Sequence, residues 1–526
     1  MRILDPDRPQ EAASLIPDGA MLTMSGNGRQ LVAETILSGI ERAYLQAGHP
    51  RDLSLYYPAL PGTRTGSGVD HLAHPGLVRT VITSAFRVWD LHGMADLVEQ
   101  GRIEAHCLPM GVGFQLLRAA AAGQPGLLTR VGLDTFLDPG TGGGSAFNEA
   151  APTQTWVERL SVDGEPYLFY RSPPVDVAIL KASAADRDGN LSLRGEPIRQ
   201  AALDMAMAAR ARGGRVLAEV RYLVRRGSLA ATRVDVPGFL VDAVLPQSGG
   251  EEGAASDYDA RVTGEWAVEP PASPAPLSVR KVMARRIALL LGPGQLINLG
   301  YGIPTLVGDV LAEEGVADAV LLSVEHGPIG GRPTAGAAFG ASVGPRYLLT
   351  SPDTFTLYHA RQLNWAVLGA AEVDAEGNTV VHRFGRSMPG PGGFIDITAS
   401  APRLVFATTL TTGGTRVSLR PAPDTGLIVE AEGSVMKFVP RLAERTFSAR
   451  EALRRGAEVW YVTDRATFRL TPDGLSLVEA APGIDPERDV ADHMGFRPTI
   501  AEDFRRWPRG LFRAGPIGLA ARWSGA

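Results

Sequence analysis

The segment LLSVEHGPIGG, residues 321–331, places an ionisable carboxylate where an apolar run that resembles a buried strand comes to an end. Glu325 is that carboxylate, and Gly327, Gly330 and Gly331 follow it. Glycine lets a ligand or another backbone approach closely and exposes amide N–H groups. A carboxylate at a strand end is also typical of a solvated surface. The glycines favour chemistry instead, either as a nucleophile that attacks a carbonyl or as a general base.

Two further glycine turns could hold a ligand. The segment 298–311, NLGYGIPTLVGDVL, has the pattern of a strand, a Gly-x-Gly turn and a helix, which suits a phosphate-bearing ligand at a helix N-terminus. It lacks both a Walker lysine and the third glycine of a dinucleotide-binding motif, so a purely structural turn stays open. The segment 388–398, MPGPGGFIDIT, is either an ordinary loop or a source of backbone N–H donors for an oxyanion.

Composition and motif searches exclude several kinds of site. The single cysteine, Cys107, rules out an internal disulfide framework and a cysteine-rich metal site, and its apolar setting predicts a buried structural thiol. The nine histidines form no H-E-x-x-H pattern, so we expect no metal. A G-x-S-x-G motif is missing, which argues against a hydrolase serine. With a net charge of −5 and no basic motif, we expect no nucleic-acid partner.

The sequence also predicts where the protein resides. Proline and aspartate interrupt residues 1–19 too early for the apolar region of a signal peptide. No apolar run approaches the roughly 18 residues of a membrane helix. Together with the single cysteine, which favours a reducing compartment, this predicts a cytoplasmic protein without a membrane partner.

Strand-like runs alternate with glycine turns and amphipathic helices along the chain. Residues 214–224, 318–327 and 403–414 are such runs, rich in β-branched residues and bordered by glycine or proline. This alternation predicts an α/β fold with mostly parallel sheets, in which ligands gather beyond the carboxyl ends of the strands. Glu325 is expected at such an end.

The two halves of the chain are similar to each other. Residues 175–193 and 363–381 align at a constant offset of 188 with six of nineteen positions identical, where residue usage alone gives about one. A looser pair is 18–37 with 292–311, each a strand, a glycine turn and a helix. We therefore predict two duplicated open α/β domains with the active site in the cleft between them.

A boundary between the halves is visible in the composition. Residues 246–275 are rich in glycine, proline, serine, alanine and acidic residues, as in a linker. We therefore predict an N-terminal domain over 1–245 and a C-terminal domain over 276–526, the latter carrying Glu325.

These segments together resemble a known enzyme family. The chain is similar to the single-chain family I CoA-transferases, most closely the branch of propionate/acetate CoA-transferases and acetoacetyl-CoA transferases. The resemblance runs nearly end to end, in order and with matching spacing. The matching blocks are residues 15–26, 131–144, 165–190, 298–307, 325–331, 383–385, 390–398, 409–414 and 478–485.

The resemblance implies a mechanism. Glu325 matches the family nucleophile, which attacks an acyl-CoA and, by ping-pong catalysis, forms a glutamyl–CoA thioester that a second carboxylic acid opens. Acyl-CoA and a small carboxylic acid are then the partners, CoA is a substrate, no metal takes part, and a homo-oligomer is expected. The implied site residues are Gly392, Gly393, Met110 and Gly111 for the oxyanion and acyl group, Gly300, Gly302, Ile303 and Pro304 for CoA, and Asn27, His359 and Arg361 as acyl-pocket candidates.

This chain departs from the branch pattern near the acyl side. The usual Glu-Asn-Gly or Glu-Ser-Gly is Glu325-His326-Gly327, and the usual Gln-Gly is Met110-Gly111. Residues 359–364, HARQLN, stand where the branch has Asp-Gly-Gly-Gly-Leu-Asp, and residues 25–34 lack its Ile-Pro-Glu shape. We interpret His326 as inert in catalysis, the alternative being that a protonated ring lowers the pKa of Glu325. These changes predict an acid larger or less polar than acetate or propionate.

Two rival functions remain open from sequence alone. One is acyl-CoA hydrolysis by the same glutamate, which requires no acceptor acid. The other is a CoA- or nucleotide-binding regulatory protein that has lost its chemistry, against which the intact Glu325 and glycine loops argue.

Overall fold

The structure is a computed structural model that describes residues 1–152, 156–247, 258–266, 268, 274–420 and 424–525. Most of the predicted linker, 246–275, lies outside the described residues. The α-helices are α1 Glu34–Ala47, α2 Gly93–Glu99, α3 Met110–Ala121, α4 Ala202–Ala211, α5 Val279–Ala288, α6 Thr305–Glu313, α7 Ser351–His359, α8 Phe394–Ser400, α9 Ala449–Arg454 and α10 Leu519–Ser524.

The strands are short and follow the apolar runs of the sequence. They are β1 Arg2–Ile3, β2 Met21–Met24, β3 Leu53–Tyr57, β4 Val78–Thr83, β5 Glu104–Cys107, β6 Gly126–Thr129, β7 Val157–Val162, β8 Glu165–Arg171, β9 Val177–Asp186, β10 Leu191–Ser192, β11 Arg215–Val224, β12 Ala243–Pro246, β13 Leu296–Leu299, β14 Leu321–Ser323, β15 Pro328–Ile329, β16 Arg332–Pro333, β17 Ser342–Val343, β18 Tyr347–Leu348, β19 Trp365–Gly369, β20 Glu372–Asp374, β21 Thr379–Val380, β22 Arg403–Ala407, β23 Thr411–Thr412, β24 Arg416–Leu419, β25 Leu427–Ala431, β26 Val435–Met436, β27 Phe438–Val439, β28 Glu458–Val462, β29 Ala466–Thr471, β30 Gly474–Ala480 and β31 Thr499–Arg506.

Two large sheets organise the molecule, one in each half of the chain. The first has the order β1-β12-β11-β9-β2-β3-β4-β5 with every neighbouring pair parallel, and β10 adds antiparallel to β9. The second has the order β18-β15-β14-β13-β19-β22-β28-β29-β30-β31, and its run from β14 to β28 is parallel. The prediction of an α/β fold with mostly parallel sheets is confirmed.

The similarity between the halves extends to strand register. In the first sheet Leu22 of β2 pairs with Val177 of β9, and in the second Ile297 of β13 pairs with Trp365 of β19. Val177 and Trp365 are separated by the offset of 188 found in the sequence repeat. The next pairings, Ala178 with Val216 and Ala366 with Leu404, keep that offset on both strands. The two halves therefore share one strand arrangement, as duplication predicts.

The turn that recurs in both halves has the same hydrogen bonds twice. Asp186 accepts from the amides of Asp188 and Asn190, and from the Asn190 side chain at 3.0 Å. Asp374 accepts in the same way from the amides of Glu376 and Asn378, and from the Asn378 side chain at 3.0 Å. These side chains satisfy backbone donors in a tight turn, which explains why the Asp-x-x-Gly-Asn pattern recurs.

The carboxyl ends of strands from both sheets meet in one cleft. The loops after β2, β3, β4 and β5 face those after β13, β14 and β19. Two side-chain hydrogen bonds join the halves here. The side-chain amide of Asn27 donates to the Phe339 carbonyl at 3.0 Å, and the side-chain amide of Gln30 donates to the Ala338 carbonyl at 2.7 Å. The cleft is thus at the sheet edge where α/β proteins bind ligands.

Within the described part of the chain, none of the helices is both long and apolar enough to cross a lipid bilayer.

A buried ion pair supports the N-terminal side of this cleft. Lys181 Nζ lies 2.9 Å from Glu219 Oε1, and Glu219 Oε2 accepts from the first amides of α1.

Lys181→Met would leave the fully buried Glu219 with an uncompensated charge, which we expect to lower the free energy of unfolding by about 3 kcal/mol. The urea unfolding midpoint measures this. The exposed pair of Arg497 and Glu487 provides the control, because Arg497→Met should cost less than about 1 kcal/mol. Equal losses in the two variants would contradict the prediction.

Candidate active site

A cavity of about 490 Å³ lies in the cleft between the two sheets. Its lining is mostly apolar, and Glu325 is its one carboxylate among the described residues. The lining residues are Asn27, Leu60, Ala85, Val88, Trp89, Met110, Gly300, Tyr301, Glu325, His326, Phe339, Leu368, Gly369, Ala370, Ala371, Val381, Phe384, Pro389, Gly390, Pro391, Gly392, Gly393, Phe394 and Ile397.

Glu325 lies two residues beyond the end of β14 and is 8% exposed. Its Oε2 atom is buried and has no hydrogen-bond partner in the described part of the chain. Burial raises the pKa of Glu325 above its ordinary value, and hydrogen bonding to its own amide and to Asn298 opposes this only in part. A carboxylate with a raised pKa and little solvation is a stronger nucleophile than one in water.

Asn298 is a site residue that the sequence analysis did not single out. It lies in the buried strand β13, and its interaction with the Glu325 carboxyl lowers the pKa of that group. Its amide nitrogen lies 3.3 Å from the Tyr358 hydroxyl, which donates to Ser323 Oγ at 3.0 Å. This small polar group lies beneath Glu325 in an otherwise apolar region. The sequence contains a signal that could have identified Asn298, because an amide side chain in the apolar run LINL is unusual for a buried strand.

Gly393 packs directly against Glu325. A Cβ atom on Gly393 would lie 3.3 Å from Glu325 Cγ and 3.2 Å from the Phe355 ring, so a larger residue would crowd the carboxylate. Its amide has no protein acceptor in the described part of the chain. The Gly392 amide, by contrast, donates to the Ser84 carbonyl at 2.9 Å. Of the two glycines predicted to serve an oxyanion, only Gly393 has an available donor.

His326 is buried beside Glu325. Its ring Nε2 lies 3.9 Å from Glu325 Oε1, and burial lowers the pKa of His326 to about 4. The imidazole is therefore neutral near pH 7 and does not supply a positive charge to the carboxylate. This agrees with the interpretation of His326 as inert and argues against the alternative of a protonated ring.

Asp396 joins the two halves behind the cavity. Its carboxylate accepts from the amides of Gly111 and Val112 at 2.9 and 3.0 Å, and it is fully buried. Those amides belong to the first turn of α3, whose N-terminus attracts a negative charge. A Cβ on Gly111 would lie 2.4 Å from the Phe355 ring, so this close approach requires glycine. The Gly111 amide predicted to face the acyl group is thus occupied by Asp396, whereas Met110 does line the cavity.

The acyl-pocket candidates divide between two places. Asn27 lines the cavity, but His359 and Arg361 are not among its lining residues. His359 Nε2 lies 3.4 Å from Asp396 Oδ1, behind α3. Arg361 lines a separate cavity with Arg130, Arg454 and Arg455. His359 and Arg361 therefore lie outside the wall of the cavity that holds Glu325, and their assignment to the acyl side stays a prediction.

The turn predicted to hold CoA borders the cavity at one point. Gly300 lines the cavity together with Tyr301, while Gly302, Ile303 and Pro304 lead away from it into α6. The start of α6 is therefore near the cavity but is not part of its wall.

The described residues contain no group of three or more His, Cys, Asp or Glu side chains that could hold a metal ion. Cys107 is buried, and burial raises the pKa of its thiol, as expected of a structural cysteine. Among the described residues that line this cavity, Glu325 is the only carboxylate, and the Gly393 amide beside it has no protein acceptor.

Comparison with known proteins gives consistent matches. The family model described as Coenzyme A transferase matches residues 7–247. The chain is 37% identical over 521 residues to the acetate CoA-transferase YdiF of Escherichia coli K12, covering 97% of this chain and 95% of that protein. It is 36% identical over 513 residues to the caffeate CoA-transferase of Acetobacterium woodii, covering 96% of each.

Solved structures match over the same length. The crystal structure of the acyl-CoA transferase YdiF apoenzyme from Escherichia coli O157:H7 has a TM-score of 0.90 and 36% identity, covering 98% of this chain and 97% of that one. A second structure of that enzyme, described as a thioester complex with CoA, has a TM-score of 0.89 and 35% identity over the same shares.

The Asp396 contact should control the start of α3. In Asp396→Asn one acceptor oxygen becomes an amide group that faces a backbone N–H, so we expect a loss of about 2 kcal/mol in the free energy of unfolding. Hydrogen exchange should also increase in a peptide covering residues 108–116.

Asp70 provides a matched control for this prediction. It accepts from the amides of Gly93 and Met94 at 2.8 Å, in the same way but at the start of α2. Asp70→Asn should destabilise the protein while leaving exchange in 108–116 unchanged. Unaltered exchange there in Asp396→Asn would show that Asp396 does not hold α3.

Proposed function

Because the chain belongs to the family I CoA-transferases, we propose that it transfers CoA from an acyl-CoA to a carboxylic acid through a covalent thioester on Glu325. The observation that carries this proposal is the buried carboxylate with a raised pKa at the cleft between two parallel sheets, next to the available Gly393 amide. The known structure of YdiF described as a CoA thioester complex supports the same kind of intermediate.

The reaction proceeds in two balanced halves. The Glu325 carboxylate attacks the thioester carbonyl of the acyl-CoA, and the C–S bond breaks to give an acyl–glutamyl anhydride and CoA thiolate. The thiolate then attacks the glutamyl carbonyl, forming the Glu325–CoA thioester and releasing the first acid as its carboxylate. A second carboxylate attacks that thioester, and the same steps in reverse order produce the new acyl-CoA and free Glu325.

The surroundings of Glu325 favour these steps. Burial removes water from the carboxylate, which raises its basicity and its nucleophilicity. Each addition places negative charge on a carbonyl oxygen, and a fixed donor beside it stabilises that charge. We propose the Gly393 amide as one donor, because it lies against Glu325 and has no protein acceptor among the described residues, and the Asn298 side chain as the other, because its hydrogen bonding lowers the pKa of Glu325.

The lining of the cavity protects the intermediates. An anhydride or a thioester hydrolyses when water reaches it, and the apolar walls around Glu325 limit that access. This favours transfer over the alternative of acyl-CoA hydrolysis. Remote contacts to CoA can then contribute binding energy to the chemical step.

We further propose that Met110, Asn27 and Gly300 contact the acyl group or CoA, since they line the cavity. The domain division at 1–245 and 276–526, the homo-oligomeric state and the cytoplasmic location remain predictions. Light scattering after size-exclusion chromatography measures the oligomeric state directly.

Intact-protein mass spectrometry tests the covalent intermediate. After incubation with acetyl-CoA we expect a CoA-sized adduct that maps to Glu325 and that borohydride removes by reducing the thioester. Glu325→Gln should form no adduct and lose transferase activity, because an amide cannot attack the thioester.

The matched control is Glu196→Gln. Burial also raises the pKa of Glu196, but this residue does not line the cavity. Its variant should keep the adduct and the activity. CoA release without an adduct and without an acceptor acid would instead establish a hydrolase.

The pH dependence tests the roles of Glu325 and His326. Only the ionised Glu325 is a nucleophile, so kcat/KM should fall as the pH decreases through its pKa, which lies above the ordinary glutamate range because of burial. His326→Asn should leave that midpoint unchanged, because the pKa of His326 is lowered to about 4 and its ring is neutral over the working range. A midpoint that rises clearly in His326→Asn would show that a charged His326 lowers the pKa of Glu325.

A further inference from the structure

We infer that the acid handled by this cavity is a monocarboxylic acid with a bulky, uncharged substituent about the size of an aryl group. This inference rests on the proposed function, because it assumes that Glu325 is the nucleophile. It concerns the walls of the cavity, whereas the proposed function concerns its reactive carboxylate.

The charge of the cavity excludes a second carboxylate on the substrate. None of the described lining residues is lysine or arginine. His326 is the only lining histidine among them, and burial lowers its pKa to about 4, so it carries no charge near pH 7. A dicarboxylic acid would have to place its second carboxylate in this cavity without a counter-ion, which is unfavourable.

Arg361 would supply a counter-ion for a second carboxylate if its side chain faced Glu325. The structure instead places it in the cavity shared with Arg130, Arg454 and Arg455, on the other side of α8. The pantetheine arm of CoA is uncharged, so the lack of a cation in the wall does not disfavour CoA itself.

The wall contributed by the N-terminal half is apolar and leaves space. It consists of Leu60, Ala85, Val88, Trp89 and Met110, with Asn27 as its one polar side chain among the described residues. The cavity of about 490 Å³ is within the range that encloses drug-sized molecules. An acid larger than acetate can therefore share this cavity with the thioester end of CoA, and it gains from burying apolar surface.

Trp89 is a fixed part of this wall. Its backbone has φ of +57°, a left-handed conformation that is unfavourable for a bulky side chain. Such a conformation persists only where the surrounding structure holds it, and it often marks a functional position. The far edge of the indole lies 3.2 Å from where a Cβ on Gly28 would be, so the loop after β2 supports the ring. An indole held in the wall offers a flat face to an aryl group.

Met110 supplies the adaptable part of the wall. Its Cε lies 3.7 Å from the position of a Cβ on Gly392, so the thioether reaches the loop beside Glu325. An unbranched thioether adjusts to different apolar shapes and packs well against aromatic rings. A glutamine here would bring an amide donor into the same space and favour small, polar acids.

Competition among acceptor acids with acetyl-CoA as donor tests the inference. Two matched pairs separate size from charge: 3-phenylpropanoate against isotopically labelled acetate, and butyrate against succinate. We expect kcat/KM for 3-phenylpropanoate to exceed that for acetate at least tenfold, and that for butyrate to exceed that for succinate at least a hundredfold. Acetate preferred over 3-phenylpropanoate, or succinate used as well as butyrate, would overturn the inference.

A variant that gains activity toward succinate tests the charge argument, because a misfolded protein cannot produce such a gain. Val88→Arg introduces a cation into the wall, and we expect it to raise the succinate-to-butyrate ratio of kcat/KM at least tenfold. Val162→Arg is the matched control, because Val162 is an exposed residue of β7 outside the cavity and its variant should leave the ratio unchanged. An unchanged ratio in Val88→Arg would contradict the proposed wall.

Met110→Gln tests the size argument in the same assay. We expect it to lower the 3-phenylpropanoate-to-acetate ratio at least fivefold, and an unchanged ratio would remove Met110 from the acid-binding wall. The Glu325 adduct with acetyl-CoA is measured in parallel. If the adduct is absent, the proposed function fails and this inference fails with it. If the adduct forms but the enzyme does not prefer 3-phenylpropanoate over acetate and butyrate over succinate, only this inference is overturned.

Discussion

The structure depends on keeping one carboxylate away from water without giving it a counter-ion. A charged group in an apolar setting is costly unless it is paired, and Glu325 is instead surrounded by apolar side chains and a neutral histidine. The strand-end turn, the glycine against its side chain and the amide of Asn298 make that position tolerable and still reactive. A positive side chain nearby would stabilise the carboxylate further, but it would also weaken it as a nucleophile.

This arrangement requires two separate sheets to stay in contact at their carboxyl edges. The contact is made by directed hydrogen bonds from one half to the other, including those of Asp396 to the start of α3 and of Asn27 to the loop at Phe339. Such bonds fix distance and orientation better than apolar packing alone. The loop carrying Gly393 leads directly into α8 and Asp396, so the donor beside Glu325 and the clamp on the opposite half are parts of one short segment.

Much of this architecture could be predicted from sequence because its signals are local. The parallel sheets follow from alternating strand and helix patterns, and the duplication is visible as a constant offset that the strand register then repeats. Glu325 could be singled out because a carboxylate at the end of an apolar run is followed closely by three glycines, although its role as the nucleophile stays a prediction.

The remaining features depend on tertiary contacts that no local pattern contains. His359 and Arg361 were assigned by alignment to the acyl side, yet their direction is set by how α7 ends. The Gly392 amide donates to the Ser84 carbonyl, which lies in the loop after β4, far from Gly392 in the chain. The sequence shows an amide, Asn298, within an apolar strand. Its effect on the pKa of Glu325 can be recognised only from the structure, in which β13 lies beside Glu325.

The shared strand register also identifies the counterpart of Glu325 in the first half. Leu22 pairs with Leu55 of β3 as Ile297 pairs with Leu322 of β14, so the position equivalent to Glu325 is Pro58. Proline has no group that can attack a carbonyl, so under the proposed function the duplicated unit is asymmetric: one copy carries the reacting carboxylate and the other shapes the space. Sequence change in the first copy can then alter which acid fits while leaving the reactive centre intact, a freedom that a symmetric pair of nucleophiles would not allow.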